Sequence, residues 1–245
     1  MRKACWLPAA VFVFAAVSSQ AADVHWSYTG ESAPGHWGDL DPAYEMCAKG
    51  VNQSPVDLTG FVEAELDAIT FHYTGLATEV VNNGHTIQAN YTSGSTIEVA
   101  GRIFQLKQFH FHSPSENTIN GQSFPLEAHF VHAAEDGSLA VISVLYEIGR
   151  ENDALARLWR QMPTEAGKKA AMASQVTARG LMPEDRDYYR FNGSLTTPPC
   201  TEGVLWLVLK QPLTVSKAQV DEFAHVMHHP NNRPVQPLHA RPVLQ

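Results

Sequence analysis

The sequence is poor in charged residues, and most of its charges are acidic. Of its 245 residues 17% are charged, with 17 Lys and Arg against 25 Asp and Glu, for a formal net charge of −8. This balance lacks the electrostatic footprint of a nucleic-acid-binding protein. The sequence also has no basic cluster of the kind that binds a membrane surface. We therefore expect neither nucleic acid nor a membrane as a partner.

Long apolar runs are equally scarce, and the one that is present lies at the N-terminus. Arg2 and Lys3 precede an apolar stretch, Leu7–Val17, which small residues follow. The stretch is shorter than the roughly 20 residues that span a bilayer. The pattern is typical of a secretory signal peptide. It predicts a signal over residues 1–21 and a mature domain over 22–245, periplasmic or secreted; a retained N-terminal anchor is the alternative.

Cysteine is rare, and its distribution agrees with export. Of the three cysteines, Cys5 leaves with the predicted signal, so that Cys47 and Cys200 remain. An even number in an oxidising compartment favours a disulfide. It would close a loop of about 150 residues and stabilise the fold by ~4–5 kcal/mol in the chain-entropy model. Two separate buried thiols are the alternative.

The rest of the sequence has no internal repeat and no low-complexity tract. Short β-type runs alternate with turn signals such as Asn82-Asn83-Gly84 and Asp136-Gly137. Helical spacing occurs over Asn152–Gln161 and after Ser216, a candidate N-cap, and residues 230–245 are typical of ordered coil. We predict a single α+β domain, mainly β, with a few peripheral helices around a large twisted, mostly antiparallel mixed β-sheet. The predicted strands are Thr78–Val81, His85–Asn90, Thr96–Val99, Arg102–His112, Phe124–Ala133, Leu139–Ile148 and Gly203–Lys210.

The segment Gln108-Phe109-His110-Phe111-His112 carries the strongest chemical signal. On a strand, His110 and His112 point to one face and the phenylalanines to the other. An antiparallel neighbour would bring His129 to the same face. Three imidazoles without an obvious fourth ligand are typical of a catalytic Zn²⁺ site with one open position. Ordinary core or surface histidines are the alternative.

Several polar residues are placed to support such a site. Metal-binding histidines usually donate their second ring N–H to an acceptor, and Glu127 and Gln108 each stand two residues before a candidate ligand. Glu116 follows His112 by four residues. The polar loop Asn192–Cys200 has the means to hold a threonine hydroxyl near the metal. A second histidine group, His225, His228 and His229, is expected to be exposed rather than metal-binding.

These motifs resemble the α-class carbonic anhydrases, in particular the bacterial, exported type. The resemblance runs from residue 25 to about 241 in the order of the family. HxH alone is weak, but HxH, ExH and GSLTTPP in that order are very specific. The matching segments are His25-Trp26-Ser27-Tyr28, Asn52-Gln53-Ser54-Pro55-Val56, Asn82-Asn83-Gly84-His85, Gln108–His112, Ser115-Glu116, Leu126–His129, Gly193–Pro199 and Asn231–Leu238.

The resemblance implies reversible hydration of carbon dioxide to bicarbonate and a proton by zinc-bound hydroxide. It makes His110, His112 and His129 the zinc ligands. Thr196 would accept a hydrogen bond from the hydroxide and pass one to Glu116. His85 would be the proton shuttle, with Tyr28 and Asn83 ordering the pocket waters. The apolar wall for carbon dioxide would consist of Val131, Val141, Leu195, Val204 and Trp206.

The resemblance also implies a Cys47–Cys200 disulfide, inhibition by sulfonamides and anions, and a homodimer, which is frequent among bacterial members. The sequence departs from animal members at Asn117, where histidine is common, and at Phe191, where tyrosine is frequent. These departures leave the strength of the hydrogen-bond network open.

Two other functions compete with this interpretation. A metal-dependent cupin would share the HxH and Glu116 pattern, but its second histidine motif is not evident. A binding protein that kept the fold and lost turnover would usually lack a ligand or the Thr–Glu pair. All five residues are present here.

Overall fold

The computed structural model describes residues 25–245, so the predicted signal peptide lies outside the described residues. The helices are α1 (Trp37–Leu40), α2 (Met46–Lys49), α3 (Asp153–Trp159) and α4 (Lys217–Met227), with 3₁₀ turns at Gly30–Ser32, Pro42–Tyr44 and Ala178–Leu181. The strands are β1 (Asp57–Leu58), β2 (Thr70–His72), β3 (Ala77–Asn82), β4 (Ile87–Tyr91), β5 (Thr96–Val99), β6 (Arg102–His112), β7 (Thr118–Ile119), β8 (Leu126–Ala133), β9 (Leu139–Ile148), β10 (Lys169–Ala171), β11 (Tyr188–Ser194), β12 (Glu202–Leu209) and β13 (Leu213–Val215).

Eleven of these strands form one large sheet, which confirms the predicted mixed β architecture. Its main order is β10-β3-β4-β6-β8-β9-β12-β11, while β5 joins β6 to β2 and β13 pairs with β9. Most pairs are antiparallel, but β12 and β13 both run parallel to β9. β1 and β7 form a separate parallel pair. The sequence analysis missed six strands, which are short or interrupted by polar residues: β1, β2, β7, β10, β11 and β13.

The main core lies on one face of the sheet. Phe109, Phe111 and Phe130 are fully buried there, as the alternation of β6 predicts. Both predicted helices pack on this face, because α3 contributes Trp159 and α4 contributes Phe223 to the same cluster. Side chains cap both helices at the N-terminus. Asn152 caps α3, and Ser216 forms a capping box with Gln219 on α4.

A second apolar cluster covers part of the opposite face. Its buried members include Val141, Phe191, Val204 and Trp206. The residues that share this face with the cluster are polar, and they are the histidines described below. Within residues 25–245 no helix has both the length and the apolar character needed to cross a bilayer.

Two long-range connections attach distant segments of the chain to the body of the fold. Cys47, in α2, forms a disulfide with Cys200, 153 residues later. The segment after α4 runs as coil along the sheet, as predicted for residues 230–245. It makes isolated bridges between Gln236 and Val56, and between Leu244 and both Val62 and Arg190.

Candidate metal centre

The three candidate histidines meet on one face of two neighbouring strands. β6 and β8 pair antiparallel in a register that sets His110 opposite His129 and His112 opposite Glu127. The ring centroids lie 5.1 Å (His110–His112), 5.3 Å (His110–His129) and 4.6 Å (His112–His129) apart. One nitrogen from each ring lies within 4.8 Å of the other two. The two strands therefore bring the predicted triad together.

Each ring uses its other nitrogen in a hydrogen bond, which fixes its orientation. The bonds join His110 Nδ1 to Gln108 Oε1 at 2.9 Å, His112 Nδ1 to the Asn231 carbonyl at 2.7 Å and His129 Nε2 to Glu127 Oε1 at 2.8 Å. The free nitrogens are thus Nε2 of His110, Nε2 of His112 and Nδ1 of His129. His112 Nε2 is buried without a hydrogen-bond partner, as suits a nitrogen that coordinates a metal.

The charge state of the rings suits a metal. Burial lowers the pKa of His110 well below its usual value, and the two neighbouring rings lower it further. Burial also lowers the pKa of His112. Neutral imidazole is the form that coordinates a metal. Three converging imidazole nitrogens fit Zn²⁺ with a position left open.

Glu127 is the buried carboxylate that holds this side of the site together. Its Oε1 accepts from His129, from the Ser143 hydroxyl (2.6 Å) and from Asn117 Nδ2 (2.7 Å). Its Oε2 accepts the backbone N–H groups of Glu116 (2.7 Å) and Asn117 (2.9 Å). Burial opposes ionisation, but the His129 ring and these hydrogen bonds outweigh it and lower the Glu127 pKa to about 2. Glu127 therefore stays ionised and holds His129 in place.

Glu116 lies beside the triad but faces only part of it. Its Oε1 accepts the Arg233 backbone N–H at 2.8 Å. Its Oε2 has no hydrogen-bond partner and lies 3.5 Å from His112 Nε2 and 3.8 Å from His129 Nδ1. Burial raises the pKa of Glu116 to about 7, against the opposing influence of His129, the Arg233 N–H and the Thr196 side chain. Glu116 does not belong to the group of converging ligand atoms.

Thr196 is buried in the loop between β11 and β12. The loop is closed by hydrogen bonds from the Leu195 N–H to the Thr201 carbonyl (3.0 Å) and from the Cys200 N–H to the Thr197 carbonyl (2.8 Å). The disulfide at Cys200 anchors its far end. The loop is therefore rigid where it carries the threonine.

The five predicted pocket residues lie together in the second apolar cluster. Val131 pairs across β8 and β9 with Val141, which in turn pairs with Trp206 on β12. The Trp206 ring contacts His129 edge-on, with centroids 4.9 Å apart. The other two predicted pocket residues, Val204 and Leu195, belong to the same cluster. An apolar wall thus adjoins the three candidate histidines.

His85 lies half-buried at the turn before β4. Its ring stacks on Trp26 with centroids 3.7 Å apart. Burial lowers its pKa, as do His25 and His229. Asn83 Oδ1 accepts the backbone N–H of His85 at 2.9 Å, so this side chain shapes the turn. Tyr28 is buried, with its ring 5.5 Å from that of Trp26 and 6.0 Å from that of His229.

The other histidines near the C-terminus are separate. His225 and His228 are exposed, and their ring centroids lie 6.2 Å apart. His229 is half-buried beside Tyr28 rather than exposed, so the expectation for that residue was wrong. The reason is that the chain turns inward after α4 towards Asn231.

The sequence analysis did not assign these roles in the site to four residues. Ser143 and Asn117 bind Glu127, the Asn231 carbonyl binds His112, and Arg233 binds Glu116. Ser143 gives a signal, since it is the one polar residue within the apolar run Leu139–Leu145. Asn231 and Arg233 act through backbone atoms and lie in coil far along the chain. Asn117 also accepts the Val56 N–H, so this departure from animal sequences is fully hydrogen-bonded.

Comparisons with known proteins agree with this geometry. A family model described as eukaryotic-type carbonic anhydrase matches residues 32–245. A carbonic anhydrase of Neisseria gonorrhoeae is 48% identical over 241 residues, 96% of this chain and 95% of the relative. One of Klebsiella pneumoniae is 48% identical over 90% of this chain and 91% of the relative. The α-carbonic anhydrase of Thermovibrio ammonificans, solved with sulfanilamide, superposes with a TM-score of 0.90 at 48% identity, covering 91% of this chain and all of the other.

Proposed function

The chain belongs to the eukaryotic-type, or α, carbonic anhydrase family, whose reaction is carbon dioxide hydration, and from this premise we propose that His110, His112 and His129 bind a catalytic zinc ion. The observation that carries the proposal is the convergence of three imidazole nitrogens within 4.8 Å. Each ring is also held by an acceptor on its other side. Zinc in carbonic anhydrases lowers the pKa of a bound water to about 7, an established property of the family, and so supplies a nucleophile at neutral pH.

Thr196 and Glu116 orient that nucleophile. An ionised carboxylate can only accept a hydrogen bond, so the Thr196 hydroxyl would donate its hydrogen bond to Glu116, and the threonine oxygen could then only accept one. The ionised form of Glu116 depends on the cation, because burial raises its pKa to about 7 despite the opposing influence of His129, the Arg233 N–H and Thr196, and a nearby positive charge lowers a carboxyl pKa. The Arg233 N–H on Glu116 Oε1 leaves Oε2 for this role.

The apolar wall receives carbon dioxide. Val131, Val141 and Trp206 lie on the same face as His129 and offer no hydrogen bond that would hold a polar ligand. The Trp206 indole N–H is already used, since it donates to the Ser194 carbonyl at 3.0 Å. A small apolar molecule is thus retained beside the metal while bicarbonate, which is charged, is released more readily.

His85 carries the product proton towards solvent. Its half-buried imidazole and its lowered pKa keep it neutral, and therefore able to accept a proton, near neutral pH. Tyr28 and Asn83 line its approach and order water. The stacking of His85 on Trp26 supports a fixed inward position for the ring.

The same reasoning extends to inhibitors and location. A sulfonamide bound to the Thermovibrio ammonificans relative supports sulfonamide binding here. The Cys47–Cys200 disulfide supports export to an oxidising compartment. N-terminal sequencing of protein from a periplasmic extract would test this; a chain that still begins at Met1 would contradict cleavage after residue 21.

Stopped-flow carbon dioxide hydration of the purified protein tests the enzymatic proposal. Activity should disappear after chelation, return with one equivalent of zinc and be blocked by a sulfonamide. His112→Ala should lose both zinc and activity, whereas His225→Ala, an exposed histidine outside the triad, should keep both. A folded, zinc-loaded protein without turnover would overturn the proposal and favour a binding protein of the same fold.

A further inference from the structure

A small cavity lies away from the metal centre, at the edge of the sheet formed by β2. It has a volume of about 130 Å³ and is lined by Phe71, Tyr73, Arg179 and Arg186. Phe71 lies on β2, Arg179 lies in the 3₁₀ turn Ala178–Leu181 and Arg186 precedes β11. None of the four belongs to the metal centre.

The two arginines in this cavity have no acidic partner. Neither Arg179 nor Arg186 forms an ion pair with a carboxylate among the residues that the structure describes. Arg186 stacks its guanidinium over the Phe71 ring, 4.8 Å from the centroid, yet its Nη1 is buried without any hydrogen-bond partner. A buried cationic N–H group without an acceptor is costly and therefore uncommon.

The surroundings of the cavity leave this charge uncompensated. Burial lowers the pKa of Arg186, and the positive charge of Arg179 lowers it further, against the opposing influence of Tyr73. Asp185 and Asp187 flank Arg186 in sequence, but among the described residues neither forms an ion pair with it, and Asp185 Oδ1 instead accepts the Asp187 N–H. Tyr73 is engaged elsewhere, since its hydroxyl is 2.7 Å from Nε2 of buried His132.

We propose that this cavity binds a small inorganic oxyanion of the class of sulfate, phosphate or bicarbonate. Stacking on Phe71 fixes the plane of the Arg186 guanidinium and leaves its edge free, and such an edge binds two oxygens of one anion side by side. Arg179, which is exposed, closes on the anion from the solvent side. The volume of about 130 Å³ is sufficient for a group of four or five heavy atoms.

Selenate provides the direct test, because its selenium can be located by anomalous scattering. Crystals of the zinc-loaded enzyme, with a sulfonamide occupying the metal, would be soaked in selenate. An anomalous peak between Arg179 and Arg186 is the expected result. A cavity without a peak, in crystals where both side chains are free of lattice contacts, would overturn the proposal.

Solution measurements separate a specific site from general salt effects. At constant ionic strength, sulfate should raise the Tm of the sulfonamide-bound enzyme above its value in chloride. Arg179→Gln and Arg186→Gln should each weaken anion binding about tenfold or more. Arg160→Gln removes an exposed arginine on another surface and should leave anion binding unchanged. An equal rise of Tm with sulfate in all variants would refute the site. Parallel titrations with phosphate and bicarbonate would identify the preferred anion.

Discussion

β6 and β8 present two faces that are chemically opposite, although most of the side chains on both are buried. On one face Phe109, Phe111 and Phe130 pack against the helices; on the other, His129 and Glu127 are almost as inaccessible. The apolar face stabilises the fold by removing apolar surface from water. Its side chains can be replaced by other apolar side chains of similar volume and shape at little cost. On the polar face each buried group depends on one particular acceptor or donor. Changes on the first face should therefore alter stability, and changes on the second should alter metal binding and turnover.

The largest expected effect comes from a bond that lies outside both faces. Replacing Cys47 and Cys200 together by serine opens a link across 153 residues and should lower the free energy of unfolding by about 4–5 kcal/mol. The loop that carries Thr196 loses its anchor at the same time, so kcat should fall in the fraction that remains folded. Urea unfolding and stopped-flow assays below the transition would measure both. Unchanged kcat would show that the loop hydrogen bonds suffice to position the threonine.

On the apolar face, Phe130→Ala should reduce stability by about 3–5 kcal/mol through the cavity it leaves. Phe130 is fully buried, 5.2 Å from the Phe109 ring. Unfolding would be measured on metal-free protein, because bound zinc adds its own stabilisation. Zinc stoichiometry should remain one per folded chain. Loss of zinc in proportion to stability would mean that the two faces are not independent.

On the polar face, Glu127→Gln should weaken zinc binding about 10–100-fold, the usual cost of altering a residue that supports a ligand. The amide cannot match a carboxylate that accepts from His129, Ser143 and two backbone N–H groups. A competing chelator would measure the affinity. Gln108→Ala is the matched control, since Gln108 supports His110 by a single hydrogen bond and should have the smaller effect. A larger effect at Gln108 would contradict the importance assigned to Glu127.

The smallest effect is expected at the mouth of the site. His229 is one of the groups that lower the pKa of His85, after burial and His25. His229→Gln should therefore raise the His85 pKa, and the acidic limb of turnover at low buffer concentration should move to higher pH, because a neutral His85 is needed to accept the proton. At high buffer concentration the unmodified protein and His229→Gln should have the same pH dependence of turnover. A shift to lower pH would contradict the sign of this coupling.

The sequence was sufficient wherever a pattern was local. The alternation in β6 predicted which side chains share a face, and the helix cap Ser216 was visible as a residue type. The antiparallel pairing that brings His129 beside His110 was expected of two strands that follow each other in the sequence, although its register was not predicted. These features depend on residues less than about 20 positions apart.

Features built from distant segments were not predictable in the same way. The parallel pairing of β12 with β9 joins strands about 60 residues apart, and neither strand signals its partner. The support of His112 and Glu116 by Asn231 and Arg233 uses backbone atoms, for which residue type gives no indication. The unpartnered arginines were missed too, since only a folded structure shows which charges lack a neighbour.

The contact between His112 and the Asn231 carbonyl has a consequence for how the enzyme is made. The two residues are 119 positions apart, and Arg233, which binds Glu116, follows shortly after. The triad is complete once His129 has been made, 102 residues before Asn231, so about 5–20 s pass at the roughly 5–20 residues per second of protein synthesis before the segment that supports His112 follows. During that interval His110 and His129 already have Gln108 and Glu127, but His112 lacks the Asn231 carbonyl, so a nascent chain should hold zinc more weakly than the finished one.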